Sequence, residues 1–241
     1  MELVSPICFI YTFLSSPLWS KPIPITPRQW SLAAAYIIHY SNRAIISPLR
    51  TPSRSKSHIL VPLAAVLFNV ANGSLMGSYL SSPQGLAFIE SRQAWVFWGS
   101  MVIWAIGLAG NVLHDEILLE LRRKAKGKKD GKGEHYAIPY GYLYSYLSYP
   151  NYFCEWAEWT GFAIASAPFP FTPQPLASVL NPSILFAPAR FFFPALTPPW
   201  LFVFNEIVTM LPRAIRGHRW YHQRFAGAYP KERKAVIPFL L

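Results

Sequence analysis

Long uncharged runs separated by short basic clusters dominate this chain. A membrane-spanning helix needs about 20 mostly apolar residues, and residues 30–49, 59–80, 95–113 and 142–167 each predict one. Two shorter runs, 3–19 and 200–211, are weaker candidates. Twelve helical residues reach only about 18 Å, so the last helix must start earlier, continue past Pro212, or be a partial span. Between 168 and 199 lie nine prolines and one charge, Arg190. Proline at that density breaks helices, which predicts a lumenal or interfacial excursion there. The expected fold class is therefore all-α, a polytopic transmembrane helix bundle of about six spans.

Composition supports this pattern. The 241 residues are 52% hydrophobic and 14% charged, against about 25% charged in soluble domains. The net charge of +11 is bunched in three clusters, at 43–56, 122–132 and 213–234, rather than spread over a water-facing surface. Nucleic-acid binding is therefore not expected. An even number of spans between clusters puts all three on one side, which the positive-inside rule makes cytoplasmic, with the C-terminus. The loop 81–92 on the other side carries only Glu90 and Arg92, while Lys21 and Arg28 before residue 30 are a mild dissent. Glu2, and the lack of an early Lys or Arg, argue against a secretory signal. Cys8 and Cys154 are too few for a disulfide framework.

Polar residues within apolar runs are costly, and their default reading is functional. At 100° per residue, Asn111, Asp115 and Arg122 fall within about 40° of one another on a helix. Asn151, Glu155 and Glu158 lie within about 40° of a second line. Such faces suit a ribose, amide or phosphate ligand, and the plainer alternative is polar glue between helices. Tyr40, after His39, can donate a hydrogen bond to a carbonyl, whereas His39 itself reads as a packing residue. His218 and His222 share a helix face at a metal-like spacing, but six scattered histidines do not build a metal site, and none is expected. No GxGxxG follows a strand and no GxxxxGK[ST] is present. The basic stretch 122–132 fits anionic membrane lipid.

Several stretches resemble the steroid 5-alpha-reductase family. They are Asn111-Val-Leu-His-Asp115 through Leu121-Arg122-Arg123, Tyr136-Ala-Ile-Pro139-Tyr-Gly141-Tyr-Leu143, and Asn151-Tyr-Phe-Cys-Glu155-Trp-Ala-Glu158-Trp159-Thr-Gly161. The ending is similar as well: Arg219-Trp220-Tyr221, Tyr229-Pro230-Lys231, then Arg233-Lys234-Ala-Val-Ile-Pro238-Phe239. The resemblance is strong over about 92–166 and 200–241 and weaker over 1–91, where His39-Tyr40, Arg43, Asn72-Gly73, Gly77 and Tyr79 carry it. It implies N-terminal, substrate-side helices over 1–91. Over 92–241 it implies a reductase-like catalytic domain with the proline-rich insertion 168–199.

Members of that family are seven-helix, NADPH-dependent proteins of the endoplasmic reticulum membrane. The resemblance implies that the chain starts after the family's first helix. It also implies that Asn111, Asp115, Arg122, Tyr136, Asn151, Glu155, Arg213 and Tyr221 hold NADPH. Glu2 and Tyr40 match the pair that polarises the substrate carbonyl. A family histidine near the end of the chain falls on Gly217 here, with His218 one residue later. The expected activity is reduction of the Δ4 double bond of a 3-oxo-steroid or similar lipid enone. The alternatives are an enoyl thioester reductase, a truncated inactive paralogue, and, less favoured, a membrane methyltransferase using S-adenosylmethionine.

Overall fold

A computed structural model describes residues 1–19, 24–51, 58–127, 137–173, 192 and 196–241. The described residues are helical, with one isolated bridge between Leu147 and Lys234 and no β-sheet. Among the described residues eight α-helices follow one another: α1 (Val4–Ser15), α2 (Pro27–Ser41), α3 (Ser47–Arg50), α4 (Leu60–Leu80), α5 (Pro83–Ser91), α6 (Ala94–Gly127), α7 (Pro150–Ser166) and α8 (Pro198–Phe225). A π-helical turn, Asn42–Ile46, joins α2 to α3, so the 30–49 run is one nearly continuous helical rod. Two helical stretches, Leu60–Leu80 and Ala94–Lys124, are long and apolar enough to cross a membrane.

The chain divides into two compact units. The first comprises Met1–Leu49, Ser55–Val102 and Thr160–Val203. Its helix ends are set by local chemistry. Thr26 caps α2 in a reciprocal box with Gln29, and Pro27 takes the first helical position, where its missing N–H costs nothing. The Gln29 side chain then donates to the Leu80 carbonyl at 2.6 Å, closing the C-terminus of α4. Ser82 caps α5 by accepting from the Gly85 N–H at 2.9 Å. Arg28 donates to the Ile89 and Arg92 carbonyls at 2.9 and 2.7 Å, and Thr26 bonds Glu90 at 2.6 Å. Arg28, one of the two dissenting charges of the topology count, is thus a structural cap, and Lys21 lies outside the described residues. In the core, Phe9 stacks on Tyr36 with centroids 4.1 Å apart. Helix α1 lies so close to α4 that a Cβ on Gly73 would strike the Ser5 carbonyl.

The second unit comprises Arg50–Arg54, Ile103–Trp159 and Phe204–Leu241. Trp156, Met210, Ala214 and Val236 form its buried cluster, flanked by Tyr149, Tyr152 and Leu211. Helices α6 and α7 touch backbone to backbone, since a Cβ on Gly107 would fall on the backbone of Glu158 and Cys154.

Several predicted boundaries move. The helix expected over 142–167 begins only at Pro150, because residues Tyr142–Ser145 form a 3-10 turn and the strand-like Leu147 pairs with Lys234. The 95–113 helix runs on to Gly127. Its 34 residues are about 51 Å long, which carries Asp115 to Arg123 past the end of the apolar run. The last helix both starts earlier than 200 and continues through Pro212. Most of the 168–199 insertion lies outside the described residues.

Candidate functional site

In the second unit the two predicted polar faces meet. The Asn151 amide donates to Asp115 Oδ1 at 2.8 Å. Asn111, Asn151, Glu155 and Glu158 are all buried. The Asn151 amide oxygen has no hydrogen-bond partner, although burying such a group unpaired costs about 1–3 kcal/mol.

His114, beside Asp115, fastens the turn that follows the basic loop. Its Nδ1 bonds the Gly110 carbonyl at 2.6 Å and its Nε2 accepts from the Leu143 N–H at 3.2 Å, which requires the neutral ring with the proton on Nδ1. The Tyr144 hydroxyl donates to the His114 carbonyl at 3.3 Å. Burial pushes the Tyr144 phenol up; Asp115, Tyr221 and Tyr149 push it further, and Arg233 pulls it down. Two of the candidate residues, Asp115 and Tyr221, thus act on one phenol together with Tyr149 and Arg233.

Arg233 is 2% exposed. Its guanidinium lies over the rings of Tyr140 and Tyr229 at 5.0 and 5.1 Å, and its Nε and Nη1 have no hydrogen-bond partner. A buried cation with idle donors is a strong local demand for an anion. Tyr221 stacks on Tyr229 with centroids 5.2 Å apart. Ser148 bonds both His218 Nδ1 at 2.6 Å and the Tyr229 hydroxyl at 2.7 Å. Burial lowers the His218 pKa, and His222 and Lys234 lower it further.

Of the other expected cofactor residues, Arg122 and Arg213 are exposed, and Tyr136 lies outside the described residues. Among the described residues no three His, Cys, Asp or Glu side chains assemble as a metal site. Cys8 and Cys154 are both free.

The first unit holds the other expected pair. The Tyr40 hydroxyl accepts from Asn72 Nδ2 at 2.8 Å, and the same amide reaches the Tyr36 hydroxyl at 3.1 Å. Tyr36 in turn shares a 2.6 Å bond with Ser5. His39 packs edge-on against Tyr40 at 5.2 Å. Glu2 instead faces Arg43, with Nε to carboxylate at 3.6 Å, both side chains about two-fifths exposed. Asn72 and Arg233 stand in stretches that resembled the family, yet nothing in spacing marks one amide as the partner of two phenols. Nor does spacing mark one arginine of an Arg-Lys pair as buried.

Comparisons with known proteins converge on one group. The family profile described as 3-oxo-5-alpha-steroid 4-dehydrogenase matches residues 55–181 and 185–241. An uncharacterized protein of Schizosaccharomyces pombe is 34% identical over 100% of this chain and 82% of its own length. Steroid 5-alpha-reductase DET2 of Solanum lycopersicum is 30% identical over 95% of this chain and 79% of its own. The 3-oxo-5-alpha-steroid 4-dehydrogenase 1 of Rattus norvegicus is 31% identical over 87% of this chain and 67% of its own.

Proposed function

The chain belongs to the 3-oxo-5-alpha-steroid 4-dehydrogenase family, and from that premise we propose that it is a membrane-embedded, NADPH-dependent reductase of the Δ4 double bond of a 3-oxo-steroid or similar lipid enone. Its setting in this reading is the endoplasmic reticulum membrane, crossed about six times, with the C-terminus cytoplasmic.

The observation that carries the cofactor reading is the set of unsatisfied buried groups in the second unit. Arg233 offers two nitrogens, Nε and Nη1, with idle N–H donors, and Asn151 offers an amide oxygen. A phosphorylated dinucleotide with an amide and two riboses satisfies both kinds of demand. Asn111, Asp115, Glu155 and Tyr221 supply further polar contacts in this reading, with the exposed Arg122 and Arg213 as its outer members, and Tyr136 belongs to it by resemblance alone.

NADPH, when bound, supplies the hydride for the alkene carbon. The protein must then stabilise the negative charge that grows on the substrate's carbonyl oxygen. Tyr40 is suited to that task in this reading, because the Asn72 amide donates to its phenol oxygen at 2.8 Å and holds the hydroxyl in place. Donors already held in place where charge develops lower the barrier without reorganisation. Glu2 is the second member of the pair by resemblance, and its carboxylate faces Arg43 Nε at 3.6 Å.

Detergent-purified protein titrated with NADPH and with S-adenosylmethionine tests the reading. Saturable NADPH binding, and consumption of NADPH with a 3-oxo-Δ4-steroid, are expected. Binding of S-adenosylmethionine instead would replace the reductase with a methyltransferase, and binding of neither would leave a non-catalytic relative.

A further inference from the structure

In the second unit the Tyr149 side chain approaches Gly217 of α8 closely. A Cβ on Gly217 would land on the Tyr149 hydroxyl and ring. The phenol therefore fills the slot in α8 that any side chain at 217 would claim. The Tyr149 backbone is fixed there, because Ser148 and Tyr149 donate to the Lys234 and Ala235 carbonyls at 2.8 and 3.0 Å, and Lys234 donates back to Tyr146 at 2.8 Å.

Tyr149 flanks the apolar cluster of Trp156, Met210, Ala214 and Val236 on one side and reaches the polar residues already described on the other. Gly217 and Tyr221 are four apart on α8 and so share a face. The Tyr149 ring stands 6.5 Å from Tyr221 and 5.2 Å from Tyr152. Tyr149 also acts on the Tyr144 phenol together with Asp115, Tyr221 and Arg233. Among the described residues the Tyr149 hydroxyl has no hydrogen-bond partner, although the residue is only partly exposed. A phenol held this firmly, with its polar end uncommitted and beside Tyr221, is placed to meet a ligand rather than merely to pack.

We propose that Tyr149 is a ligand-contacting residue of the dinucleotide site, its hydroxyl passing through the slot opened by Gly217 to hydrogen-bond the bound cofactor. The proposal rests on the NADPH reading above. It also gives a reason for the glycine at 217, where the family resemblance places a histidine. A polar group is still supplied at this point, but from the neighbouring segment instead of from α8.

Three variants test it by NADPH titration and by thermal unfolding without cofactor. Tyr149→Phe keeps the ring and removes one hydroxyl, so NADPH should bind about 3–10-fold more weakly, the scale of one hydrogen bond, with unfolding unchanged. Gly217→His should lose both affinity and thermal stability, because its side chain displaces the ring. The double variant Gly217→His with Tyr149→Gly removes the ring that the histidine would strike, and should recover both well above Gly217→His alone. Unchanged NADPH affinity in Tyr149→Phe overturns the proposal, as does a double variant no better than Gly217→His. Equal loss of stability and affinity in Tyr149→Phe would make the residue a packing element only. If the parent protein binds no NADPH, the cofactor reading falls and takes this proposal with it.

Discussion

Asn72 holds Tyr40 by donating to its hydroxyl at 2.8 Å, and the same amide reaches Tyr36 at 3.1 Å. One buried side chain from α4 thus sets the orientation of two phenols on α2. Rotating Tyr40 away would break a hydrogen bond in a buried setting, where the amide has few other partners. The Tyr40 hydroxyl is consequently fixed before any substrate arrives, which is the property that makes a donor effective on a developing oxyanion.

Replacing Asn72 by Leu should therefore act through Tyr40. We expect turnover to fall by about tenfold with NADPH affinity retained, since one positioning hydrogen bond contributes about 0.5–1.5 kcal/mol. Steady-state rates beside an NADPH titration of the same preparation check it. A variant with normal turnover would show that Tyr40 needs no help from α4.

Asp115 and Asn151 offer the complementary test. Asp115→Asn removes the charge while keeping the shape, and it turns a charge-assisted bond into a neutral one or a clash of two amides. Hydrogen bonds to charged groups contribute about 1.5–3 kcal/mol. If the pair organises the cofactor site, NADPH should bind about 10–100-fold more weakly. Fluorescence titration of the purified variant measures this, and unaltered affinity would reduce the pair to glue between α6 and α7.

These residues also show where sequence reading succeeds and where it stops. The helical period alone put Asn111 and Asp115 on one face and Asn151 and Glu155 on another, and the structure joins the two faces through a 2.8 Å bond. The apolar runs located α2, α4 and the start of α6 closely, because a helix in that setting needs an unbroken uncharged stretch. The start of α7 was misplaced by eight residues. The stretch 142–149 is apolar enough to pass for helix, yet its backbone pairs with Lys234 and Ala235, some ninety residues away. Local pattern carries no trace of such a partner. The same limit hid Asn72 and Arg233, whose significance lies in what surrounds them after folding.

His218 predicts a dependence on acidity. Its ring lies past Pro212, bonded to Ser148 and facing His222, Tyr229 and Lys234. Burial, then His222 and Lys234, lower its pKa. The unfolded chain therefore takes up this proton at a higher pH than the folded one. Stability is fully present above the ordinary histidine value of about 6.5 and is lost as pH falls from there through the folded pKa. Thermal unfolding scanned between pH 8 and pH 5 should show a declining midpoint, and His218→Gln should flatten the acid limb. An unaltered limb in that variant would assign the acid sensitivity to other groups.

Gly107 gives a prediction about packing alone. A methyl there meets the backbone of α7 at Glu158 and Cys154, which cannot rotate aside as a side chain could. Overpacking of this kind costs about 1–3 kcal/mol. Gly107→Ala should lower the unfolding midpoint, whereas Gly99→Ala on the same helix, where nothing lies within 4 Å, should not. Equal behaviour of the two variants would mean that α6 and α7 are not in backbone contact.

The two roles assigned to the chain can be separated by a pair of single-group changes. Tyr40→Phe deletes one hydroxyl and leaves the ring stacked near Tyr36, with centroids 4.7 Å apart in the parent. If that hydroxyl polarises the enone carbonyl, turnover should fall by about 10²–10³-fold, the scale of a lost oxyanion donor, while NADPH binding survives. Glu155→Gln keeps volume and removes a buried charge; the carboxylate is only 4% exposed. If Glu155 holds cofactor, its loss should register first as weaker NADPH binding, and saturating NADPH should restore much of the rate. Single-turnover rates at saturating cofactor separate the cases, because they read the chemical step without the binding step. Equal loss of NADPH affinity in both variants would mean that Tyr40 and Glu155 serve the same function, and the division between a carbonyl-polarising group and a cofactor-holding group would have to be abandoned.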